Sequence, residues 1–319
     1  MTAESAGQGG GGATDGLVVV DKPAGWTSHD VVARLRRIYG LRRVGHAGTL
    51  DPDATGVLLV GLGRATRLLR FLTETGKVYR GEVGFGVATD TLDAAGTETA
   101  RQAMPTLTAD DLGAALPRFI GTISQVPPMV SAVKVEGRRL HERARAGEVV
   151  ERAPRTVHID RIEVEAFTPG EFPRAQLLVE CGSGTYIRSL AADLGEAVGG
   201  CAHLAWLRRL RVGPFAIEEA WTLEEIAESP AKLVLPMVEA VRHLPRIDVD
   251  GDTARGVAHG AVFPVTALGI DTTGPFAVVG PDGRLLALYQ KGRAAARPLV
   301  VLQGAGSSSK DHPLPGGGS

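Results

Sequence analysis

Residues Gly45 to Gly56 read GHAGTLDPDATG, which places one imidazole and two carboxylates among three glycines and a proline. An aspartate followed by proline is typical of a turn, because proline fixes its own φ and favours extended backbone in the residue before it. A plain turn at Asp51-Pro52 is therefore one interpretation of this stretch. The other is a chemical use of the Asp51 carboxylate, which the rest of the sequence has to support.

Other motifs that could carry chemistry fail on residue type or spacing. TGKV ends in valine where a phosphate-binding loop needs serine or threonine, and GFGVAT lacks the third glycine of a dinucleotide fingerprint. HERAR has arginine where a zinc protease needs its second histidine, and the eight histidines are scattered. Neither Cys181 nor Cys201 lies in a metal or disulfide pattern, which fits a reducing cytoplasm. We therefore expect no metal and no cofactor.

The elements around the aspartate stretch mix strands and helices. GLVVVDKP predicts a strand, and TSHDVVARLRRIYG predicts a helix capped by Thr27 or Ser28 and ended by Gly40. Further strands are predicted in GVLLVGLG and KVYRGEVGFGV. Helices are predicted in ATRLLRFL and in TADDLGAALPRFI, where Pro117 cuts or kinks the helix. Without a regular βαβ rhythm, this mixture predicts an α/β or α+β domain on a mixed sheet.

Composition divides the chain into a large domain, a small domain and two flanking segments. Gly-rich and Gly/Ser/Pro-rich ends predict a flexible leader and a disordered tail. Paired prolines followed by a basic run predict an excursion that can act as a flap and contains a basic helix. A β-rich unit with a hairpin turned at Asp282-Gly283 comes last. The predicted bounds are 1–14 for the leader, 15–240 for the large domain with its flap at about 121–151, 241–303 for the small domain and 304–319 for the tail.

Charge gives two opposed indications about nucleic acid. The formal net charge is −1, whereas proteins that bind nucleic acid usually carry a basic footprint. Only 6 of the 35 basic residues are lysines, however, and the arginines cluster in stretches such as ARLRRIYGLRR. Arginine engages phosphate bidentately and stacks on bases, which favours an RNA or DNA partner, although a GC-rich genome would also favour its codons. Neither a signal peptide nor a membrane span is predicted.

Four blocks of the sequence, in order, resemble the TruB-type pseudouridine-55 synthases that act on bacterial transfer RNA. They are VDKPAGWTSHDVV, RRVGHAGTLDPDATGVLLVGLGRATRL, KVYRGEVGFGVATDTLDAAG and CGSGTYIRSLAADLG. The segment QVPPMVSAVKVEGRRLHERARAGEVV resembles the RNA-clamping insertion of that family. The resemblance implies a monomer that isomerises the T-loop uridine at tRNA position 55, without a cofactor or an obligate protein partner. It also implies a largely antiparallel sheet and a C-terminal domain similar to the PUA type of RNA-binding domain.

The resemblance assigns the catalytic residues. Asp51 corresponds to the family carboxylate that attacks or stabilises the sugar while the C–N glycosidic bond breaks. Arg188 is similar to the family arginine that pairs with this aspartate and keeps it ionised, because a guanidinium does not deprotonate. Tyr79 matches the tyrosine that stacks on the target base and relays a proton, and Tyr186 matches one that lines the same pocket. Without the resemblance, either tyrosine could be an ordinary core residue.

The resemblance also assigns residues that contact RNA. His46 resembles the family histidine that fills the space left by the flipped nucleotide. Asp90 matches a family carboxylate near the RNA surface, or it only organises its own turn. Gly45 and Gly48 lack side chains where a nucleic-acid backbone must come close. Substrate-binding residues of the flap are expected at Lys134, Arg138 and Arg139.

Two positions depart from the family pattern, and two further functions stay open. Asp53 stands where relatives usually carry an apolar residue or lysine, so its charge either weakens RNA binding or is screened, and His141 stands where many have tyrosine. One alternative function is an RNA-binding or tRNA-folding protein that opens the T arm without essential catalysis. The other is a guide-RNA-dependent synthase of the archaeal and eukaryotic type, which shares the GHAGTLDP neighbourhood but works in multiprotein particles.

Overall fold

The computed structural model describes residues 14–129, 134–135, 138–139, 152–269 and 274–302. The chain forms two compact units, Met1–Val234 and Leu235–Ser319, whereas the sequence predicted a boundary at residue 240. The predicted leader, apart from residue 14, and the predicted tail lie outside the described residues. Most of the predicted flap, including His141, lies outside them as well.

A mixed sheet is the centre of the first unit. Its order is β1-β3-β12-β4-β11-β10-β7, with β2 added to β3 and β13 to β12. The pair β3 and β12 is parallel and the other pairs in this sheet are antiparallel, so the predicted mixed, largely antiparallel sheet is confirmed. The strands are β1 (Gly16–Lys22), β2 (Val44–Ala47), β3 (Thr55–Leu62), β4 (Lys77–Phe85), β7 (Gly121–Gln125), β10 (Arg155–Thr168), β11 (Arg174–Cys181), β12 (Ala202–Val212) and β13 (Phe215–Ala216).

Local sequence explains where the first helix begins and ends. Helix α1 spans Ser28–Tyr39, and Thr27 caps it in a reciprocal capping box with Asp30. Gly40 ends the helix at φ 63°, a left-handed conformation that glycine adopts without a steric penalty. The predicted helix and both of its ends are confirmed.

The remaining helices of the first unit are short. The predicted helix in ATRLLRFL is a 3-10 turn, Gly63–Arg67, followed by one short α-helix. The helix capped by Thr108 ends at Ala115, and Pro117 lies in the 3-10 turn that follows, as predicted. These helices are α2 (Leu69–Thr73), α3 (Ala109–Ala115), α4 (Ile187–Ala197) and α5 (Leu223–Glu228).

Two packed clusters hold the first unit together. One joins β4 and β11 to α4 and includes Val83, Leu177 and Leu190. The other joins β1 and β3 to α1 and α5 through residues such as Val60 and Leu35. Burial of these apolar side chains is the main favourable contribution to folding, and it fixes the positions of the loops between the strands.

A two-stranded ladder lies within the predicted flap. The strands β8 (Lys134–Val135) and β9 (Arg138–Arg139) pair antiparallel. The basic run that continues at residues 140–151 lies outside the described residues, so the basic helix of the flap stays a prediction. Another two-stranded ladder, β5 (Val87–Thr89) with β6 (Glu98–Arg101), brackets the turn that contains Asp90.

The second unit is β-rich, as predicted. Its sheet has the order β14-β16-β17-β18-β15, and helix α6 (Gly251–Ala258) packs on it. The hairpin between β16 and β17 turns at Asp282-Gly283, where Gly283 has φ 74°, so the predicted turn is confirmed. The strands are β14 (Arg246–Asp248), β15 (Phe263–Pro264), β16 (Pro275–Val279), β17 (Leu285–Lys291) and β18 (Ala295–Val301).

Candidate active site

The Asp51 loop connects β2 to β3, and a buried lysine anchors its middle. Lys22, the last residue of β1, is fully buried, and its Nζ donates hydrogen bonds to the carbonyls of Pro52 at 2.8 Å and Trp26 at 2.6 Å. The Gly25 amide donates to the same Pro52 carbonyl at 3.0 Å. Burial lowers the pKa of Lys22 to about 8. Hydrogen bonds from Lys22 and Gly25 to the Pro52 carbonyl therefore hold the turn that the sequence predicted at Asp51-Pro52.

A buried arginine anchors the start of the same loop. Arg209, on β12, is 1% exposed, and its guanidinium donates to the carbonyls of Val57 at 2.7 Å and Gly48 at 3.1 Å. Gly48 has φ +79°, which favours glycine at this position whatever comes close to it. Gly56 has φ +101°, and a Cβ there would meet the Arg209 carbonyl oxygen at 2.2 Å. The loop and β12 therefore meet backbone to backbone.

The structure brings the predicted pair Asp51 and Arg188 together. Arg188 Nε lies 3.0 Å from Asp51 Oδ2, and Nη2 donates to Oδ1 at 3.2 Å, so the contact is bidentate. The arginine side chain is 5% exposed and the aspartate side chain 45% exposed. The carboxylate therefore faces open space while its counter-charge is held behind it.

A second carboxylate completes this group. Asp93 Oδ2 lies 3.3 Å from Arg188 Nη1, which also donates to the Thr91 carbonyl at 3.1 Å. Burial is the main cause that raises the pKa of Asp51, Arg188 opposes this change, and the negative charge of Asp93 adds to it. The site therefore sets one buried cation between two anions.

Asp90 lies in the turn between β5 and β6, and its expected contact with RNA stays a prediction. It is exposed, and its Oδ1 accepts a hydrogen bond from the Thr97 amide at 2.8 Å. It therefore organises the turn between β5 and β6, which was the second interpretation of this residue. Asp93, three residues later in TDTLD, is the carboxylate that reaches Arg188, and the sequence analysis missed it.

A buried glutamine fixes the loop that precedes α4. Gln125, at the end of β7, accepts a hydrogen bond from the Tyr186 amide at 2.8 Å and donates to the Tyr186 carbonyl at 3.0 Å. This pair of bonds sets the position from which Arg188, in the first turn of α4, reaches Asp51. No local pattern in the sequence marks Gln125 for this role.

Asp51 and Arg188 form part of the wall of a cavity of about 270 Å³, called the first cavity below. The predicted Tyr79 and Tyr186 line it too, as does Leu207. Burial raises the pKa of the Tyr79 phenol, although a hydrogen bond from Arg209 opposes this change. Tyr79 therefore carries its proton at neutral pH, inside a cavity that also contains the carboxylate.

His46 lies on β2 beside the loop and is not among the residues that line the first cavity. Its ring meets that of His29 edge to face, with 5.4 Å between the ring centres. Burial lowers the pKa of His46 to about 4, so the imidazole is neutral near pH 7. Its Nδ1 has no hydrogen-bond partner in the described part of the chain.

Gly45, the residue before His46, packs against α2. A Cβ at Gly45 would lie 3.3 Å from Leu69 Cδ1, so this packing already limits the position.

A second cavity, of about 250 Å³, is lined by the same ion pair. It shares Asp51, Arg188 and Leu207 with the first cavity. Its remaining wall is Pro52, Asp53, Ala54, Thr91, Asp93, Ala94, Ala95, Leu204, Ala205 and Trp206. The two cavities therefore meet at the Asp51 carboxylate.

In residues 14–129 and 152–302, leaving out 270–273, no cluster of three or more His, Cys, Asp or Glu side chains could hold a metal ion. In the same ranges, no helix is long and apolar enough to cross a membrane. Side-chain contacts of Lys134, Arg138 and Arg139 lie outside the described part, so their expected role stays a prediction.

Comparison with known proteins gives matches along most of the chain. Residues 36–187 match the family model described as TruB family pseudouridylate synthase, N-terminal domain. A protein of Thermobifida fusca named tRNA pseudouridine synthase B is 48% identical over 91% of this chain and 99% of that protein. The chain belongs to the TruB family of pseudouridylate synthases. A Symbiobacterium thermophilum protein of the same name is 51% identical over 77% of this chain and 82% of that protein.

The C-terminal part and the fold give consistent matches. Residues 188–242 match the model tRNA pseudouridylate synthase B C-terminal domain, and residues 244–303 match tRNA Pseudouridine synthase II, C terminal. A crystal structure of a Cbf5-Nop10-Gar1 complex is similar with a TM-score of 0.70 and 30% identity, over 91% of this chain and 85% of that chain. A structure of an H/ACA RNP bound to a substrate RNA is similar with a TM-score of 0.68 and 28% identity, over 90% and 84%. The predicted family and fold class are therefore confirmed.

Proposed function

We propose that this TruB-family protein converts the T-loop uridine of tRNA, position 55, into pseudouridine, and that Asp51 is the catalytic carboxylate. The observation that carries the proposal is the bidentate Asp51–Arg188 pair in the wall of a cavity that Tyr79 also lines. The relatives of this chain that are named tRNA pseudouridine synthase B support tRNA as the substrate. The choice of position 55 rests on the four sequence blocks that resemble that family.

The reaction asks for a carboxylate in a pocket of this kind. The bond from N1 of uracil to C1′ of ribose breaks, the base turns, and C5 bonds to C1′. The proton on C5 leaves to solvent and N1 gains one, so atoms balance and no oxidant or cofactor is required. An ionised carboxylate either attacks or stabilises the electron-deficient sugar, or adds to the base. The half-exposed Asp51 side chain is open to such a substrate, while Arg188 favours its ionised form.

Tyr79 supplies an aromatic face and a protonated phenol. The raised pKa keeps the phenol neutral beside Asp51, so the ring stacks on uracil without adding a second charge to the cavity. After the base turns, the proton on C5 must be removed. The phenol oxygen can relay that proton to solvent by taking it while it passes its own proton on, since the neutral phenol already carries one.

Base flipping fits the neutral state of His46. Extrusion of a nucleotide costs a few kcal/mol, and stacking on an aromatic ring returns about 1–3 kcal/mol per base. A neutral imidazole enters the gap in a base stack without the desolvation cost of a charge. His46 is half-buried beside the loop, and its ring meets that of the exposed His29 edge to face.

Mapping the product tests the assignment of enzyme and position. Purified protein is incubated with an unmodified tRNA transcript, without added guide RNA, metal or nucleotide, and pseudouridine is mapped by carbodiimide labelling and primer extension. We expect one new pseudouridine, at position 55. Modification at another uridine would contradict the position. Modification that needs a guide RNA would favour the guide-dependent synthase.

RNA binding distinguishes the proposed enzyme from the alternative, a tRNA-folding protein without essential catalysis. Asp51→Asn is expected to bind the transcript within about threefold of wild type, because the substitution keeps the shape of the side chain, and to form no pseudouridine. Asp110→Asn, an exposed change of the same type on α3, is the matched control and is expected to keep full activity. Tight RNA binding by a wild-type protein that forms no pseudouridine would favour a role without catalysis.

A further inference from the structure

The second cavity has the size and position of a nucleobase site. Its volume of about 250 Å³ is close to the 270 Å³ of the first cavity, which we propose holds the target uracil. Both cavities share Asp51, Arg188 and Leu207, so a ligand in either cavity lies beside the Asp51–Arg188 pair. An RNA strand that places one base in the first cavity therefore brings the next base to the second.

We propose that the second cavity binds a nucleobase with an exocyclic amine, from a nucleotide that adjoins the target uridine. This inference rests on the proposed function and adds a determinant of substrate sequence to it. The occupant is assigned from the continuity of the two cavities and from the hydrogen-bonding character of the second one.

The polar groups of the second cavity are mainly acceptors. Asp53 lines it and is exposed, so its carboxylate remains able to accept a hydrogen bond from a ligand. Asp93 lines it too, with one oxygen on Arg188 and the other accepting from the Thr91 hydroxyl at 2.6 Å. An ionised carboxylate accepts hydrogen bonds and cannot donate them. Cytosine, adenine and guanine offer an amine to Asp53, whereas uracil presents a carbonyl oxygen that the carboxylate repels.

The rest of the wall suits the face of a base. Alanine and leucine side chains and Pro52 make most of it, and Trp206, which is 38% exposed, stands at its edge. An indole in this position offers a surface for stacking, a contact that tolerates any base. Trp206 therefore contributes to affinity, while Asp53 selects the base. The Asp53 carboxylate, which the sequence analysis treated as unfavourable near phosphates, gains a role as a specificity determinant.

The test uses T-arm stem-loops that differ by one amine. Cytidine is exchanged for 2-pyrimidinone, and adenine for purine, at each position that flanks the target uridine. The uridine carries tritium at C5, and kcat/KM is read from tritium release. For wild type we expect loss of the amine at one flanking position to lower kcat/KM by about 10- to 100-fold, the worth of a hydrogen bond to a charged group.

Variants assign that loss to the second cavity. Asp53→Ala is expected to reduce the ratio between amine-bearing and amine-lacking RNAs to within about twofold of one, because the acceptor is gone. Asp110→Asn is expected to keep the wild-type ratio. Trp206→Ala is expected to raise KM for both RNAs of a pair alike, and Trp206→Phe to restore it.

Each outcome decides the inference separately from the proposed function. Equal kcat/KM for every pair with wild type, or a ratio that Asp53→Ala leaves unchanged, overturns it. If no RNA releases tritium, the proposed function fails, and the same ratios measured as dissociation constants decide the inference instead. A ratio in Kd that disappears in Asp53→Ala supports the base site even then.

Discussion

The site contains two kinds of buried cation, and they do different work. Arg188 faces the carboxylates of Asp51 and Asp93 at the boundary of two cavities. Lys22 and Arg209 lie beneath the loop and donate to main-chain carbonyls. We call these two the loop anchors. The contrast separates electrostatics from positioning: Arg188 favours the ionised form of the Asp51 carboxylate, and the loop anchors hold the backbone that carries it.

Arg188 is the place where that contrast predicts the largest loss of activity. Arg188→Met removes the charge that favours ionised Asp51, and we expect kcat to fall by about 100-fold or more. Arg188→Lys keeps a charge but loses the bidentate contact, so it is expected to recover only part of this loss. Single-turnover assays at saturating RNA measure both variants. Full activity in Arg188→Met would remove the electrostatic role.

Substitution of Arg209 should lower stability more than activity, which is the opposite of what we expect for Arg188. Arg209→Met leaves the carbonyls of Gly48 and Val57 without their donor, and unsatisfied buried groups cost about 1–3 kcal/mol each. We expect the free energy of unfolding to fall by about 3 kcal/mol in urea denaturation, with a smaller change in kcat than Arg188→Met gives. A stable protein with a large loss of kcat would place Arg209 with Arg188 instead.

Lys22, the other loop anchor, should make the free energy of unfolding depend on pH. Its pKa is about 8 in the folded protein, below the ordinary lysine value of 10.5, because burial disfavours the charged form. The resulting penalty is present below pH 8 and is relieved as pH rises towards 10.5. We expect Lys22→Met to remove the part of this increase in unfolding free energy that Lys22 contributes, measured between pH 7.5 and 9.5 where tyrosine ionisation contributes least. Lys77, whose pKa burial also lowers to about 8, keeps its own part. An unchanged pH dependence would show that Lys22 is not the group responsible.

Asp93 gives the smallest expected effect and the sharpest test of charge. Its negative charge raises the pKa of Asp51, so Asp93→Asn should lower that pKa. Because Asp51 acts ionised, the acidic limb of kcat/KM against pH is expected to move to lower pH. The rate above pH 7 should change by less than about tenfold. A shift to higher pH would mean that Asp93 acts through the position of Arg188.

Local sequence rules were enough for elements whose signals are close together in the chain. The Thr27 cap, the Gly40 helix end and the Asp282-Gly283 turn each depend on residues within a few positions. The fold class followed from the mixture of strands and helices. The order of strands did not, because β12 lies between β3 and β4 through pairings that no local pattern encodes.

In the site too, the residues that the sequence identified differ from those that only contacts between distant segments reveal. The resemblance pointed to Asp51, Tyr79 and Arg188, which meet around the first cavity. It did not point to Asp93, Gln125 or the loop anchors, because each is defined by a contact with a distant segment. Asp90 and Asp93 are alike in sequence, and only the geometry of their turn shows which one reaches the arginine.

The most direct test of the central claim is a single-turnover release of tritium from C5 of the target uridine, with wild type and Asp51→Asn compared on one tRNA transcript. Because C5 must lose its hydrogen when it bonds to the sugar, we expect wild type to release about one equivalent per tRNA. We expect Asp51→Asn to be at least about 10⁴-fold slower, the scale set by removing a nucleophile. Release by Asp51→Asn at a rate near wild type would contradict the assignment of Asp51 as the catalytic carboxylate.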